Sequence, residues 1–386
     1  VLAELARDDF GIFWRFCWDQ EPAHHHLEWH RMFKMPGFHD GSDRLLIGAP
    51  RGWAKALALD TALPTPDGWT TMGEIKVGDK LFDESGNICT VIGVYDVDPD
   101  EVYEVEFDDG STIRACGDHL WITYSVGERR ALTSKEYIRD YPDDWAINAH
   151  NTDKTMVPHP KVRTTKEIAE SITTKFGKHI VHNHVIPVAK PLQLPEAELD
   201  IPPYIMGMML GSLDYRGVTV SRGYMIKAIM TINKFGYIAM PHDGYIEILN
   251  MPPKPGRIPR EYLRASIEQR QELVRGMMDT GGSISYNAQR AYFRTPNINL
   301  AIDFRELVSS LGEKSDISYS DDMYIVRWSP SFECFKLGRA AKLSVISAAR
   351  KGLTKKHRTI IDARKLPPQP MRCIAVSYTH LTLPTN

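Results

Sequence analysis

The sequence lacks the features of a stapled, secreted or membrane-bound architecture. Five cysteines stand in 386 residues, Cys17, Cys89, Cys116, Cys334 and Cys373, with no CxxC or CxH pairing among them. That argues against a zinc site or a disulfide framework and fits a reducing compartment. Neither sign of charge prevails: the net charge is -2, so contact with nucleic acid needs a local patch rather than the whole chain. The longest apolar stretch, Tyr204 to Leu210, falls far short of the roughly 20 residues of a membrane span. Val1 to Arg7 has no signal-peptide shape, and an opening Val in place of Met points to a fragment. The remaining composition, 42% apolar and 25% charged, is that of a soluble globular chain with room for two or three domains.

The most telling absence is a single hydroxyl. Gly48-Ala49-Pro50-Arg51-Gly52-Trp53-Ala54-Lys55 follows the apolar run Leu45-Leu46-Ile47, as a phosphate loop follows a buried strand. Such loops wrap phosphates in backbone N–H groups and need a Ser or Thr directly after the Lys to hold Mg²⁺. Gly48, Arg51, Gly52 and Lys55 are the nucleotide-binding candidates, but the next residue is Ala56. A strand-and-turn pattern rich in Pro and Gly follows where a helix belongs. Something has been inserted into the loop at its metal-binding position.

Downstream of that break the character changes. Residues 56–125 read as all-β, with short runs at Trp69–Met72, Lys80–Phe82, Thr90–Tyr95 and Val102–Phe107. Asp108-Asp109-Gly110 then makes a hairpin turn into Thr112–Ala115. Residues 126–200 are polar and irregular. Residues 201–345 turn α/β and hold two similar helix-like segments, Pro203–Gly211 and Leu273–Gly282. A basic stretch from Arg350 to Lys365 leads through Leu366-Pro367-Pro368-Gln369-Pro370 into a last β-like run, Met371–Val376.

Three blocks carry a resemblance to inteins. Ala56–Thr61 through Met72–Leu81 resembles their first block, Gly110–Trp121 their second, ending near His119, and Met371–Val376 the block near their C-terminal end. The resemblance implies an all-β horseshoe, the Hint splicing fold, closed by strands from both ends of the element. Most inteins open with a Cys or Ser nucleophile; here Ala56 holds that place and cannot attack. One reading is an inactivated intein. The other is a minority class without the first nucleophile, with a Trp two residues after the second-block His and a Cys in the later block that attacks the upstream peptide bond directly. Trp121 and Cys373 match that pattern.

The chemistry suits these residue types. The Lys55–Ala56 amide is planar and resonance-stabilised, so its cleavage needs a polarised carbonyl and a protonated leaving nitrogen. His119 is the candidate proton donor, Lys55 supplies the scissile carbonyl, and Cys373 is the nucleophile, with Arg372 a candidate for favouring its thiolate. Splicing of this kind takes no cofactor, and its partner is the chain itself. Outside this context a Cys or Trp on a strand is a core residue. Cys17, Cys89, Cys116 and Cys334 read as structural. Inteins finish in His-Asn, but Thr385 precedes Asn386 here, and the tail after Val376 reads as not native, so His380 and Asn386 carry no role.

The middle of the chain resembles a LAGLIDADG homing endonuclease, most clearly from Ile258 to Leu311. In that family two helices pack along a pseudo-two-fold axis, and an acid closing each one holds the divalent metals that activate water. Gly207 and Gly276 would let the helices approach. Ser212 and Gly281 stand where those acids belong, and Asp214 and Asp279 are weak substitutes. The resemblance therefore implies a folded but inactive nuclease, with Mg²⁺ relevant only if activity survives. Double-stranded DNA is a further partner, through Arg339, Lys342, Arg350, Lys351, Lys355, Lys356 and Arg358.

Residues 1–55 resemble the start of a phage terminase large-subunit ATPase, which implies a phage or prophage protein in a bacterial cytoplasm and ATP with Mg²⁺ once the loop is rejoined. The implied organisation is a short α/β host fragment at 1–55, the first Hint half at 56–127, an α/β (α+β) endonuclease-like domain at 128–365 and the closing Hint strands at 366–386. Three functions stay open: self-processing, site-specific DNA cleavage, and an ATPase fragment.

Overall fold

The computed structural model describes residues 56–132, 161–285, 290–338 and 357–377. All of them belong to one compact unit, residues 50–386. The phosphate-loop candidates Gly48, Arg51, Gly52 and Lys55 lie outside the described residues, as do His380 and Asn386.

The described chain is built first around an eight-stranded sheet. Its strands are β1 (Leu57–Ala58), β2 (Lys80–Phe82), β3 (Ile88–Val97), β4 (Val102–Phe107), β5 (Thr112–Cys116), β6 (Val185–Pro187), β7 (His357–Leu366) and β8 (Met371–Val376). Their order across the sheet is β6-β7-β4-β5-β1-β8-β3-β2. Alternation explains β4: Val105 and Phe107 are fully buried, whereas Glu104 and Glu106 between them and before them are half-exposed. Gly110, at φ 79°, closes the tight turn from β4 into β5. The two-residue β1 lies inside the sheet, antiparallel to β5 on one side and to β8 on the other. The ends of the described chain therefore meet in one sheet.

This sheet does not respect the expected limits at 127 and 365. Strand β6, nearly all of β7, and the helix α1 (Thr165–Glu170) sit with it; Ile168, Ile186 and Ile360 share its core. Residues 161–187 are also more regular than their composition suggests. Lys161–Thr164 is a strand paired with Leu120–Thr123, and Thr173–Phe176 pairs with His179–His182. Cross-strand pairing over such a separation leaves no local pattern to read. The described part of the basic stretch before Leu366, His357–Leu366, is a strand. Arg358 is 1% exposed, bonded to Asp109 at 2.8 Å, and lies over the Phe107 ring. It is not available to a phosphate. Arg339, Lys342, Arg350, Lys351, Lys355 and Lys356 lie outside the described residues.

A second core holds the middle of the chain, from Ile201 to Leu337. Helix α2 (Pro203–Gly211) is buried along nearly its whole length, as a helix apolar on every side must be. It leads to α3 (Met225–Lys234) and the strand pair Ala239–Pro241 and Ile246–Ile248. Helix α4 (Ile267–Gly281) opens on a capping box, Ser266 with Gln269, and crosses α2 at the two glycines. A Cβ on Gly207 would overlap the Leu273 carbonyl, and one on Gly276 the Tyr204 carbonyl. After α4 come four strands in the order Gly282–Ile284, Ala291–Thr295, Met323–Trp328, Ser315–Ser320, with α5 (Ile298–Ser310) packed on them. Arg270 is fully buried and donates to the carbonyls of Ala265, Ser310 and Leu192; burial lowers its pKa to about 10.

The two cores are bolted together by side chains. Arg264 donates to the Thr65 carbonyl at 3.1 Å and to the Gly68 carbonyl at 3.0 Å, on the hairpin Ala62–Thr65/Gly68–Thr71. Its guanidinium also pairs with Glu306 at 2.8 Å, and Trp69 Nε1 donates to the same carboxylate at 2.9 Å.

Candidate active site

The register of β1 brings the first and last strands together at one point. Leu57 faces Arg372 and Ala58 faces Met371, so one step further along the same antiparallel ladder sets Ala56 against Cys373. On the other side Leu57 faces Ala115, which sets Ala56 against Cys116, and the Cys116 N–H donates to the Ala56 carbonyl at 3.0 Å. Cross-strand partners share a face of the sheet. Ala56, Ala58, Val102, Cys116, Met371 and Cys373 accordingly form one small buried cluster. Cys373 is 2% exposed and Ala56 1%.

Arg372 does not belong to this cluster. Neighbouring residues on a strand point to opposite faces, and the Arg372 guanidinium binds Asp96 at 2.7 Å and the Gly73 carbonyl at 2.6 Å. It therefore does not favour the Cys373 thiolate by proximity, and that expectation is corrected. Cys116, read from sequence as structural, lies in the cluster instead. Burial pushes its thiol up to about 11, and Asp118 and Cys373 push the same way, so it stays protonated at neutral pH.

His119 follows in the turn after β5. Its N–H donates to the Cys116 carbonyl at 3.0 Å, and its own carbonyl accepts from the Thr165 N–H at 3.0 Å. The His119 ring meets Trp121 edge-on, with ring centroids 4.9 Å apart. Trp121 is buried in the main sheet core, and its Nε1 donates to Thr165 Oγ1 at 2.9 Å. The indole stands behind the imidazole and fixes its place, while Thr165 at the start of α1 ties both together. Thr165 escaped the sequence reading, although the capping box of Thr164 with Glu167 beside it is a legible helix start. Thr165→Val keeps the shape but leaves the buried indole N–H unpaired. The expected cost is about 1–2 kcal/mol of stability, checked by urea denaturation.

The four candidate metal positions of the middle core are engaged elsewhere or carry no side chain. Ser212 is 1% exposed, and its hydroxyl ties a loop, donating to the Gly217 carbonyl at 2.8 Å and accepting from the Thr219 N–H at 3.1 Å. Gly281 has no side chain and abuts the Gly211 carbonyl. Asp214 is held by Arg216, which lowers its pKa to about 2. Asp279 accepts from the Tyr204 hydroxyl at 2.7 Å and from the backbone N–H groups of Lys336 and Leu337. It braces α4 against the chain after the last strand. Among the described residues no group of three or more His, Cys, Asp or Glu could hold a metal ion. Mg²⁺ wants several carboxylate or carbonyl oxygens, and these residues do not fit it.

Burial raises Asp279 to about 6, against the bonds it accepts. A carboxyl raised in the folded state gives stability that is fully present below its unfolded pKa and lost as pH climbs through the folded value. Relative to Asp279→Asn, wild-type stability is therefore expected to decline between about pH 4 and pH 6, by at most about 1.4 kcal/mol per pH unit. Urea denaturation of both proteins across that range is the check.

Comparison with known proteins sets this geometry in context. No family model matches the chain. It is similar to the replicative DNA helicase DnaB of Mycobacterium intracellulare, 31% identical over 368 residues that take in 88% of this chain and 58% of that protein. It thus spans less than two thirds of that relative's length. A second likeness, to the replicative DNA helicase DnaB of Mycobacterium leprae, is 43% identical over 88 residues, 22% of this chain and 14% of the other. Among solved structures it is similar to inteins. The MchDnaB-1 intein is 45% identical over 19% of this chain and 55% of its own, with a TM-score of 0.17. The Msm DnaB1 intein splicing domain bound with zinc is 48% identical over 18% of this chain and 54% of its own, with a TM-score of 0.17. No described helix is long and apolar enough to cross a membrane.

Proposed function

We propose that the chain is an intein: a self-processing element whose eight-stranded sheet is a Hint-type splicing domain of the class lacking the first nucleophile. The observation that carries this reading is the small buried cluster that Ala56 and Cys373 share beside the Leu57–Arg372 pair. The Cys373 thiolate attacks the carbonyl carbon of Lys55. The C–N bond to Ala56 breaks, the acyl group of residues 1–55 passes to sulfur as a thioester, and His119 delivers the proton that the Ala56 nitrogen takes up. Trp121 and Thr165 hold His119 in position, and the Cys116 N–H holds the first strand. The chemistry needs no cofactor.

The middle core is, on this reading, a LAGLIDADG-type endonuclease domain that has lost cleavage. The α2–α4 crossing at Gly207 and Gly276 supports the architecture, and the engaged Ser212, Asp214 and Asp279 with the bare Gly281 support the loss. Double-stranded DNA is its partner. For the interrupted host, the likeness to DnaB across 88% of the chain favours a replicative-helicase ATPase over the terminase expected from the phosphate loop.

Intact-mass measurement of the purified chain under added thiol tests the reading. The expected products are residues 1–55 and a remainder beginning at Ala56. An intact chain that nicks DNA with Mg²⁺, or one that turns over ATP, would instead support the nuclease or the ATPase.

A further inference from the structure

A cleft of about 470 Å³ lies where the sheet meets helix α5. Its walls are Asp60 to Ala62 after β1, the β4–β5 turn from Asp109 to Arg114, and Arg305 of α5. The charges at this place do not balance. Asp109 is bound by Arg358 at 2.8 Å and by the Ser111 N–H and hydroxyl; burial opposes its charged form, but these partners hold its carboxyl below the usual range. Asp60 is bound by Arg114, which also donates to Gln369 at 3.2 Å. Asp316, the other acid whose charge reaches Arg305, pairs with Arg327 at 2.6 Å. Each of these acids is paired with an arginine, and among the described residues no carboxylate is paired with Arg305.

Two nitrogens of Arg305, Nε and Nη2, find no acceptor among the described residues. Burial works against the Arg305 charge, the cost expected of a guanidinium without a partner. Arg305 is half-buried on α5 and lines the cleft. A phosphate offers several acceptor oxygens in the geometry a planar guanidinium matches. A cleft of this size also has room for the group that carries the phosphate.

We infer that this cleft binds a phosphate-class oxyanion, with Arg305 as the principal donor and Arg114 as the second. The site is independent of the proposed splicing chemistry, because it touches neither Cys373 nor His119. The phosphate belongs either to a small phosphate ester or to a nucleic-acid backbone, and one experiment separates them. Inorganic phosphate and a 20-base-pair DNA duplex (each alone) are titrated into the full chain by calorimetry, for wild type, Arg305→Gln and Thr112→Trp. Thr112 is exposed at the cleft, so its indole blocks the entrance without disturbing Arg305. Far-UV circular dichroism checks the fold of each variant.

The expected result is phosphate binding to wild type that weakens roughly tenfold or more in both variants. Duplex binding left unchanged by the variants identifies a small phosphate ester. Duplex binding that also weakens, with a salt dependence reduced by about one ion, identifies the nucleic-acid backbone. Phosphate that binds wild type and both variants alike, or that does not bind wild type, overturns the inference. If Arg305→Gln fails to fold, Thr112→Trp decides.

Discussion

Replacing Cys373 with Ala is expected to abolish breakage of the Lys55–Ala56 bond, with the rate falling by at least about a thousandfold. Ala56 carries no nucleophile, so no second group at the junction substitutes for the thiol. The loss should come without unfolding. Cys373 lies in a small cluster whose other members are Ala56, Ala58, Val102, Cys116 and Met371, and removing one sulfur there costs about 1 kcal/mol. Cys116→Ala is the internal control. Cys116 acts through its backbone N–H, which holds the Ala56 carbonyl at 3.0 Å. That bond survives the substitution, so cleavage is expected to stay within about tenfold of wild type. Intact mass against time for the three proteins checks both. Equal loss in the two variants would mean that packing, not the Cys373 thiol, limits the reaction.

The largest expected effect on stability is Gly276→Val. The new Cβ would overlap the Tyr204 carbonyl and stand 2.8 Å from Met208 N and 2.9 Å from Gly207 Cα. All three are backbone atoms of α2, which cannot rotate away as a side chain does. The helices must part, and Tyr204, Met208, Leu273 and Met277, all fully buried, lose their contacts. A cost of about 3 kcal/mol or more follows. Ala56 and Cys373 lie in a separate small cluster, so cleavage at Lys55–Ala56 is expected to persist within about tenfold. Urea denaturation followed by circular dichroism, with cleavage assayed alongside, checks both halves. Unchanged stability would mean that α2 and α4 do not cross at these glycines.

Local pattern carried much of this structure. The alternation in Val102–Phe107, the Asp108-Asp109-Gly110 turn and the last strand at Met371–Val376 were readable because the period of two and the turn chemistry are local. The paired glycines of α2 and α4 came from the resemblance to LAGLIDADG endonucleases, whose two helices pack closely along one axis. What escaped depends on distant partners. Arg358 looked like part of a basic face because Asp109, which buries it, stands 249 residues earlier. The strand Lys161–Thr164 looked irregular because its partner, Leu120–Thr123, stands well before it in the sequence. The limits at 127 and 365 failed for the same reason: a strand joins a sheet by its neighbours, not by its composition.

The candidate site shows the same division. Cys373, His119 and Ala56 came from motifs, but Cys116 and Thr165 enter through backbone and hydroxyl bonds that no spacing announces. Arg372 is the instructive miss. Strand alternation alone puts it on the face opposite its neighbour Cys373, so its exclusion was available before any coordinates.

The central claim is that the sulfur of Cys373 takes the acyl group from Lys55. Acid-quenched chain, digested and analysed by tandem mass spectrometry with and without hydroxylamine, tests it directly. The account predicts a branched peptide in which the Lys55 carbonyl is joined to Cys373, lost on hydroxylamine treatment. An N-terminal segment released with no acyl group ever found on Cys373, at the same rate in Cys373→Ala, would contradict it.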